Sequence, residues 1–162
     1  MHKYEPRSYR NLKQFWREGA SLAANWRVLP AVVRGRMVPS AFRERLMLVV
    51  TAVNRCRYCA YIHAGAALLA GVSKEEAQML LSGTVEHCPE EEIPALLYAQ
   101  HWAEADGEPD PEARRKMVET YGTESAKQIE AVLRMIRIGN LTGNTLDRLL
   151  DRLRRADGRL GP

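Results

Sequence analysis

Apolar and polar residues follow each other along this chain with the period of an α-helix rather than that of a strand. The run Leu46-Met47-Leu48-Val49-Val50, inside residues 41–54, is apolar on every side, so the helix that carries it must be buried. Ser40 is placed to cap the first turn of this helix. Upstream, an amphipathic segment carries Trp16 and Trp26, which are expected in the core or at a subunit contact. We therefore predict an all-α fold, a single-domain helical bundle built around a central helix.

Capping residues mark the ends of the other helices. Ser73 with Glu76 three residues later makes a capping box. A glycine such as Gly71 stops the helix before it, because glycine adopts the left-handed conformation at little cost. These signals place further helices at residues 11–28, 55–70, 74–81, 89–106, 111–121 and 123–155. Gly139 and Gly143 are expected to bend or interrupt the last of these, and to let another part of the backbone approach closely.

Length and composition describe one globular domain. The 162 residues are 46% apolar and 27% charged, which suits a folded chain with a single core. We expect residues 1–162 to form one all-helical domain, with residues 42–79 as its core. Residues 1–17 lack the apolar stretch of a signal peptide, and no apolar run approaches the roughly 20 residues that cross a bilayer. A cytoplasmic protein without a membrane span or membrane partner is expected.

Charge and cysteine content narrow the classes of partner. The net charge is +4, but Lys and Arg are interleaved with Asp and Glu along the chain. The densest basic stretch, residues 148–159, is typical of a solvated terminal helix, so no nucleic-acid partner is expected. Three cysteines without a secretion signal favour reduced thiols over a disulfide-stapled scaffold.

The residues that carry chemistry form one short motif. Cys56-Arg57-Tyr58-Cys59 is a C-x-x-C, and His63 follows the second cysteine by four residues. On a helix that turns by about 100° per residue, the two cysteines and the histidine fall within about a 60° arc and share one face. Two cysteines so placed can close a disulfide, which lets the second thiol resolve an oxidised first one.

The same side chains suit an activated thiol. A thiolate rather than a thiol is the nucleophile, and its pKa falls near a helix N-terminus or beside a histidine. His63 stands in an otherwise apolar helix, where burial of an imidazole demands a partner. Glu44, on the preceding buried helix, is the candidate carboxylate that would fix the tautomer of the ring. Cys56, Cys59, His63 and Glu44 are therefore the predicted catalytic residues.

Other interpretations of these residues are open. The cysteines can be two core thiols, the histidine a satisfied core residue, and Glu44 only an acid in the first turn of a helix. Cys56, Cys59 and His63 with either Glu44 or Cys88 also have the ligand types of a zinc site, although three ligands within so short a stretch of helix strain a tetrahedron. A non-enzymatic assembly or redox-sensing module is a third alternative. A c-type haem motif needs its histidine directly after the second cysteine, so no cofactor is expected.

Taken together, Glu44, eleven intervening residues, the C-x-x-C and the histidine four residues later resemble the signature of the alkyl hydroperoxidase D-like proteins of the carboxymuconolactone decarboxylase family. Residues 135–145 are also similar to segments of uncharacterised members. The resemblance implies an all-helical subunit that assembles into a homo-oligomer, a dimer, trimer or hexamer, with the cysteine pair near a subunit contact. Members that decarboxylate a lactone lack the cysteine pair, so that activity is disfavoured.

The resemblance also implies peroxide reduction through a Cys56–Cys59 disulfide, with His63 and Glu44 as a proton relay and an external dithiol or lipoyl-type reductant. We expect Cys59 to attack the hydroperoxide and Cys56 to condense with the resulting sulfenic acid. Proximity to the helix N-terminus favours Cys56 as the nucleophile instead, so the order stays open. The hydroperoxidase itself carries a histidine where this chain has Tyr58.

Overall fold

The computed structural model describes residues 5–24, 26, 27, 30 and 38–157, and all regular structure in these residues is helical. The helices in chain order are α1 Leu12–Ala24, α2 Ser40–Asn54, α3 Arg57–Leu69, α4 Lys74–Ser82, α5 Ile93–Glu104 and α6 Pro111–Asp157. The predicted all-α class is confirmed. None of the helices so described combines the length and the apolar character needed to cross a bilayer.

Helix α2 is the centre of the molecule. Eleven of its fifteen residues are buried, and it packs against α3, α4, α5 and α6. Leu46, Leu48 and Val50 are completely buried, and each such side chain stabilises the fold by about 1.5–3 kcal/mol. The expected central helix is confirmed. The expected cap is wrong, because Ser40 is the first helical residue and Pro39 holds the N-cap position without a side-chain hydrogen bond.

Helix α1 is held by polar contacts rather than by its aromatic side chains. Its buried residues are Gln14 and Glu18. Trp16 on the helix and Trp26 beyond its end are 66% and 62% exposed and so lie outside the core. Glu18 Oε1 accepts a hydrogen bond from Nε of Arg137, which is completely buried on α6. Because a buried guanidinium needs a partner, this ion pair fixes α1 against α6.

The predicted caps around α4 are largely observed. The Ser73 hydroxyl accepts a hydrogen bond from the Glu76 N–H at 3.0 Å and so caps the first turn. Gly71 and Gly83 have φ angles of 93° and 91°, and they follow the ends of α3 and α4 as expected. Glu76 itself turns to Arg45 on α2, and this ion pair ties α4 to the central helix.

Two predicted boundaries are wrong. Helix α5 begins at Ile93 rather than near Pro89, because residues 89–92 form turns in which the Glu92 N–H donates to the Pro89 carbonyl. Residues 139–144 do not bend or interrupt α6 but continue it as helix, since the burial of Asn140, Leu141 and Asn144 outweighs the low helix propensity of glycine. The break in α6 lies at Gly122, which has a φ of 76° and a ψ of 161° and separates residues 111–121 from residues 123–155 as predicted.

Candidate active site

The chain turns sharply between α2 and α3. Arg55 adopts the left-handed conformation, with φ 54° and ψ 48°, and its N–H donates to the Thr51 carbonyl. Cys56 is extended and is the N-cap residue of α3. The expectation that Cys56 would share a helix face with Cys59 and the following histidine is therefore wrong in detail, because Cys56 precedes the helix. The cap geometry nevertheless brings the two cysteines together.

The two cysteines interact at the first turn of α3. The Cys59 backbone N–H donates to Cys56 Sγ at 3.3 Å. Both residues are free thiols, but Cys56 is only 1% exposed whereas Cys59 is partly exposed. A sulfur that accepts an N–H at the positive end of a helix is stabilised as a thiolate. This turn is consequently built to hold a negative charge.

Hydrogen bonding sets the pKa values of the two thiols in opposite directions. The side chain of Cys59 donates to the Cys56 sulfur, and backbone N–H groups of Tyr58 and Cys59 add to this, so the pKa of Cys56 falls to about 6 despite its burial. The thiol proton that Cys59 donates to Cys56, together with burial, raises the pKa of Cys59. A hydrogen bond with Asn140 acts in the opposite direction but is weaker. Near neutral pH the pair therefore holds one proton, with the charge on Cys56.

Glu44 and His63 form a second pair. His63 Nδ1 lies 2.8 Å from Glu44 Oε2, which joins α3 to the central helix. The side chains are 6% and 22% exposed for Glu44 and His63 respectively. Burial alone would raise the pKa of Glu44, but hydrogen bonds from His63 and Arg43 outweigh it and the pKa is lowered. An ionised carboxylate at this position holds the ring proton on Nδ1 and leaves Nε2 as the basic nitrogen.

Helix α3 places the two pairs one turn apart. Cys59 and His63 are four residues apart on this helix, a spacing at which the Cβ atoms of neighbouring side chains lie about 5–6 Å apart. All four residues predicted to be catalytic therefore belong to α2, to α3 or to the turn between them. The geometry gives a dithiol next to a carboxylate–imidazole pair.

The zinc arrangement allowed by the sequence has no counterpart in the described residues. Nowhere in that part of the chain do three His, Cys, Asp or Glu side chains group as the ligands of a metal ion. Cys88, one of the two fourth ligands that the sequence allowed, hydrogen-bonds to Glu76 near Arg45, and burial raises its pKa to about 12. Cys88 is a core thiol with no part in the dithiol.

Helix α6 supplies a wall of the site that the sequence analysis did not predict. A Cβ atom built on Gly143 would lie 2.9 Å from the Cys56 sulfur and 3.9 Å from the Cys59 sulfur. Asn140, one turn earlier, is completely buried and hydrogen-bonds to Cys59. The signal was the glycine spacing of residues 139–143, which predicted a close approach without saying that the approaching group is a sulfur.

Tyr58 lies at the outer edge of the site. Its ring is 49% exposed, and its hydroxyl accepts a hydrogen bond from Nη2 of Arg57, which also donates to Asp147 on α6 at 2.6 Å. The guanidinium lies over the tyrosine ring, 4.8 Å from its centroid. The two residues between the cysteines thus contact α6 and solvent.

Comparison with known proteins places this site in a family. A search of curated proteins and a search of solved structures gave no match. The model of the carboxymuconolactone decarboxylase family matches residues 20–105, a region that contains Glu44, Cys56, Cys59 and His63. The family includes alkyl hydroperoxidase D-like proteins as well as decarboxylases. Because the match covers more than half of the chain, the protein belongs to the carboxymuconolactone decarboxylase family.

Proposed function

We propose that the protein is a thiol-dependent hydroperoxide reductase that cycles through a Cys56–Cys59 disulfide. The observation that supports this most directly is the capped dithiol, in which the Cys59 N–H donates to the Cys56 sulfur, one turn from the hydrogen-bonded Glu44–His63 pair. A stabilised thiolate, a neighbouring thiol and a positioned acid–base group are the parts that such a cycle needs.

Exposure favours Cys59 as the sulfur that attacks the peroxide. Cys56 is almost completely buried, whereas Cys59 is partly exposed and lies one turn from His63. The resting charge is on Cys56, but two hydrogen-bonded thiols that share one proton titrate as a pair. The location of the charge at rest therefore does not decide which sulfur reacts.

Reduction of the hydroperoxide begins with loss of the Cys59 proton. Cys59 passes its proton to His63, whose positive charge is offset by Glu44, and the Cys59 thiolate attacks the outer oxygen of a hydroperoxide. The O–O bond breaks, the alkoxide takes the proton back from His63, and alcohol leaves while Cys59 becomes a sulfenic acid. The Cys56 thiolate then attacks the Cys59 sulfur and displaces hydroxide, which takes a proton from solvent to become water. The hydroperoxide is reduced and the two cysteines are oxidised to a disulfide.

An external dithiol must close the cycle. Its thiolate attacks the disulfide, and its second thiol resolves the mixed disulfide, so that the two cysteines regain two electrons and the donor becomes a cyclic disulfide. We propose a lipoyl-type dithiol, because a neighbouring second thiol makes the resolving step intramolecular. Attack at Cys59, the more exposed sulfur, releases Cys56 as the stabilised thiolate.

We infer that the subunit forms a homo-oligomer in which another copy covers α3. This helix is apolar, yet Ala67 is its only buried residue, and Tyr61, Ile62 and Leu69 are 84%, 61% and 93% exposed. Contiguous exposed apolar surface marks interaction sites. Sedimentation of the Leu69→Lys variant should reveal a smaller species than the wild type, whereas Leu97→Lys, on α5, should not. Equal sedimentation of Leu69→Lys and wild type would count against this interface.

The proposed reaction is tested by counting thiols before and after one equivalent of an alkyl hydroperoxide, in a Cys88→Ser background that removes the unrelated thiol. Two thiols should be lost, and mass spectrometry should identify a disulfide within the peptide that contains Cys56 and Cys59. Dihydrolipoamide should then support many turnovers. Oxidation without turnover under any dithiol would favour the redox-sensing alternative, and retention of both thiols would refute the proposal.

Single variants decide the order of attack. A sulfenate-specific reagent should label the Cys56→Ser protein after peroxide treatment, because its Cys59 sulfenic acid cannot be resolved. The Cys59→Ser protein should not be labelled. The reverse pattern would make Cys56 the attacking sulfur and leave the disulfide cycle intact.

A further inference from the structure

Helix α6 contacts the dithiol although the family match ends before it. The match covers residues 20–105, whereas Asn140 and Gly143 belong to the helix Pro111–Asp157. Gly143 lies against the Cys56 sulfur, and Asn140 hydrogen-bonds to Cys59. The two thiols are thus held from opposite directions by their own turn and by a distant helix.

The Asn140 amide is fixed by two hydrogen bonds to side chains of α2. Its Oδ1 accepts from Asn54 Nδ2 at 3.1 Å, and its Nδ2 donates to Thr51 Oγ1 at 3.1 Å. An amide nitrogen carries two hydrogens. With one hydrogen donated to Thr51 and the oxygen occupied by Asn54, the hydrogen that remains is available to the Cys59 sulfur. The complete burial of Asn140 keeps water from competing for its amide.

We propose that Asn140 is a positioning residue for the dithiol, which donates an N–H to the Cys59 sulfur and stabilises it as a thiolate. The inference rests on the proposed disulfide cycle for its role in catalysis. Cys59 has no helix N-cap position of its own, since Cys56 occupies that position. The Asn140 side chain stabilises a thiolate at Cys59, as backbone N–H groups stabilise the thiolate at Cys56.

The Asn140 N–H has its main effect when Cys59 becomes negatively charged. In the proposed cycle this happens as Cys59 loses its proton to His63 and attacks the peroxide. A hydrogen bond to a charged group is stronger than one to a neutral thiol, so Asn140 lowers the barrier of this step more than it stabilises the resting state. Cys56, whose charge is held by backbone N–H groups, should be unaffected by the amide.

The test measures the pH dependence of iodoacetamide alkylation of each cysteine alone, with Cys88→Ser present throughout. In the Cys56→Ser background, Asn140→Ala should raise the midpoint of Cys59 alkylation by about one pH unit or more, the size expected for loss of a charge-assisted hydrogen bond. Asn140→Asp should raise it further, because a carboxylate repels the thiolate. In the Cys59→Ser background, Asn140→Ala should leave the midpoint of Cys56 in place.

Asn144→Ala is the matched control. Asn144 lies one turn further along α6 and donates to the Asn54 carbonyl at 2.8 Å, so its loss should lower the melting temperature. It should leave the Cys59 midpoint in place. An unchanged midpoint in a folded Asn140 variant, or an equal shift in Asn144→Ala, would overturn the proposal. If Asn140→Ala does not fold, Asn140→Ser, whose hydroxyl oxygen can accept from Asn54, carries the same test. Wild-type turnover with peroxide tests the disulfide cycle separately from this result.

Discussion

Replacement of Gly143 by alanine should both destabilise the dithiol turn and slow its oxidation. The added Cβ atom would lie 2.9 Å from the Cys56 sulfur and 3.9 Å from the Cys59 sulfur. Ordinary non-bonded contacts lie at about 3.5–4.0 Å, so the Cys56 sulfur or the helix must shift by roughly 0.6–1 Å. The sulfur is on the buried N-cap residue of α3, and its displacement weakens the contact with the Cys59 N–H.

The change in the free energy of unfolding is the sum of two opposing effects. Alanine in place of glycine inside a helix stabilises it by about 1 kcal/mol. Overpacking of a filled site costs about 1–3 kcal/mol. Gly139 is a matched control on the same helix, because a Cβ atom there meets nothing within 4 Å. The free energy of unfolding should therefore be about 1–3 kcal/mol lower for Gly143→Ala than for Gly139→Ala.

Thermal melting and peroxide oxidation measure the two consequences. For a chain of this size, the difference in stability corresponds to melting temperatures about 2–12 °C apart, with Gly139→Ala the higher. A misplacement approaching 1 Å at a reacting sulfur should slow disulfide formation about 10- to 100-fold in Gly143→Ala and leave Gly139→Ala unchanged. If the two variants melt together and oxidise at the wild-type rate, the close contact between α6 and Cys56 is not a constraint on the site.

Three further predictions concern charge. The pKa of Cys56 is about 6, below the ordinary thiol value of 9.0. Ionisation of Cys56 therefore stabilises the folded protein fully above pH 9, and this stabilisation is lost as the pH falls through 6. Denaturation of the reduced protein should accordingly show stability that rises between pH 6 and 9, and Cys56→Ser should flatten this rise. His63→Gln should slow peroxide oxidation at least about 100-fold, and Glu44→Gln should also slow it, in stopped-flow measurements at neutral pH; rates within twofold of wild type would rule out the relay. Arg45→Met should cost about 3–5 kcal/mol in urea denaturation, because it leaves two glutamates largely buried without their shared cation; a loss below 1 kcal/mol would contradict this.

The parts of the fold that the sequence predicted are those with local causes. Burial of α2 follows from the apolar run at residues 46–50, since no orientation of that helix exposes a polar face. The cap at Ser73 and the stop at Gly83 depend on residues within one turn of the helix end. The contact between Glu44 and His63 was also expected, because a histidine in an apolar helix needs a polar partner nearby.

The rest of the site depends on contacts between distant parts of the chain. Cys56 is the N-cap of α3 because Arg55 takes up the left-handed conformation, and nothing in the residue type of arginine predicts this. Asn140 and Gly143 follow the cysteines by more than eighty residues in sequence, so no local pattern assigns them to the dithiol. Helix α6 continues through Gly139 and Gly143 because it is packed against other helices.

The two polar pairs of the site keep their charges by different means, and this difference constrains the chemistry. Glu44 is kept ionised by hydrogen bonds from His63 and Arg43, so its negative charge can compensate a proton that arrives on the imidazole. The charge of Cys56 is held by N–H groups at a helix terminus and by the proton of the second thiol, which supply no base. A proton leaving the dithiol must therefore go to the imidazole or to solvent. Helix α3 places that imidazole one turn from Cys59, so proton removal and sulfur attack can occur at the same cysteine.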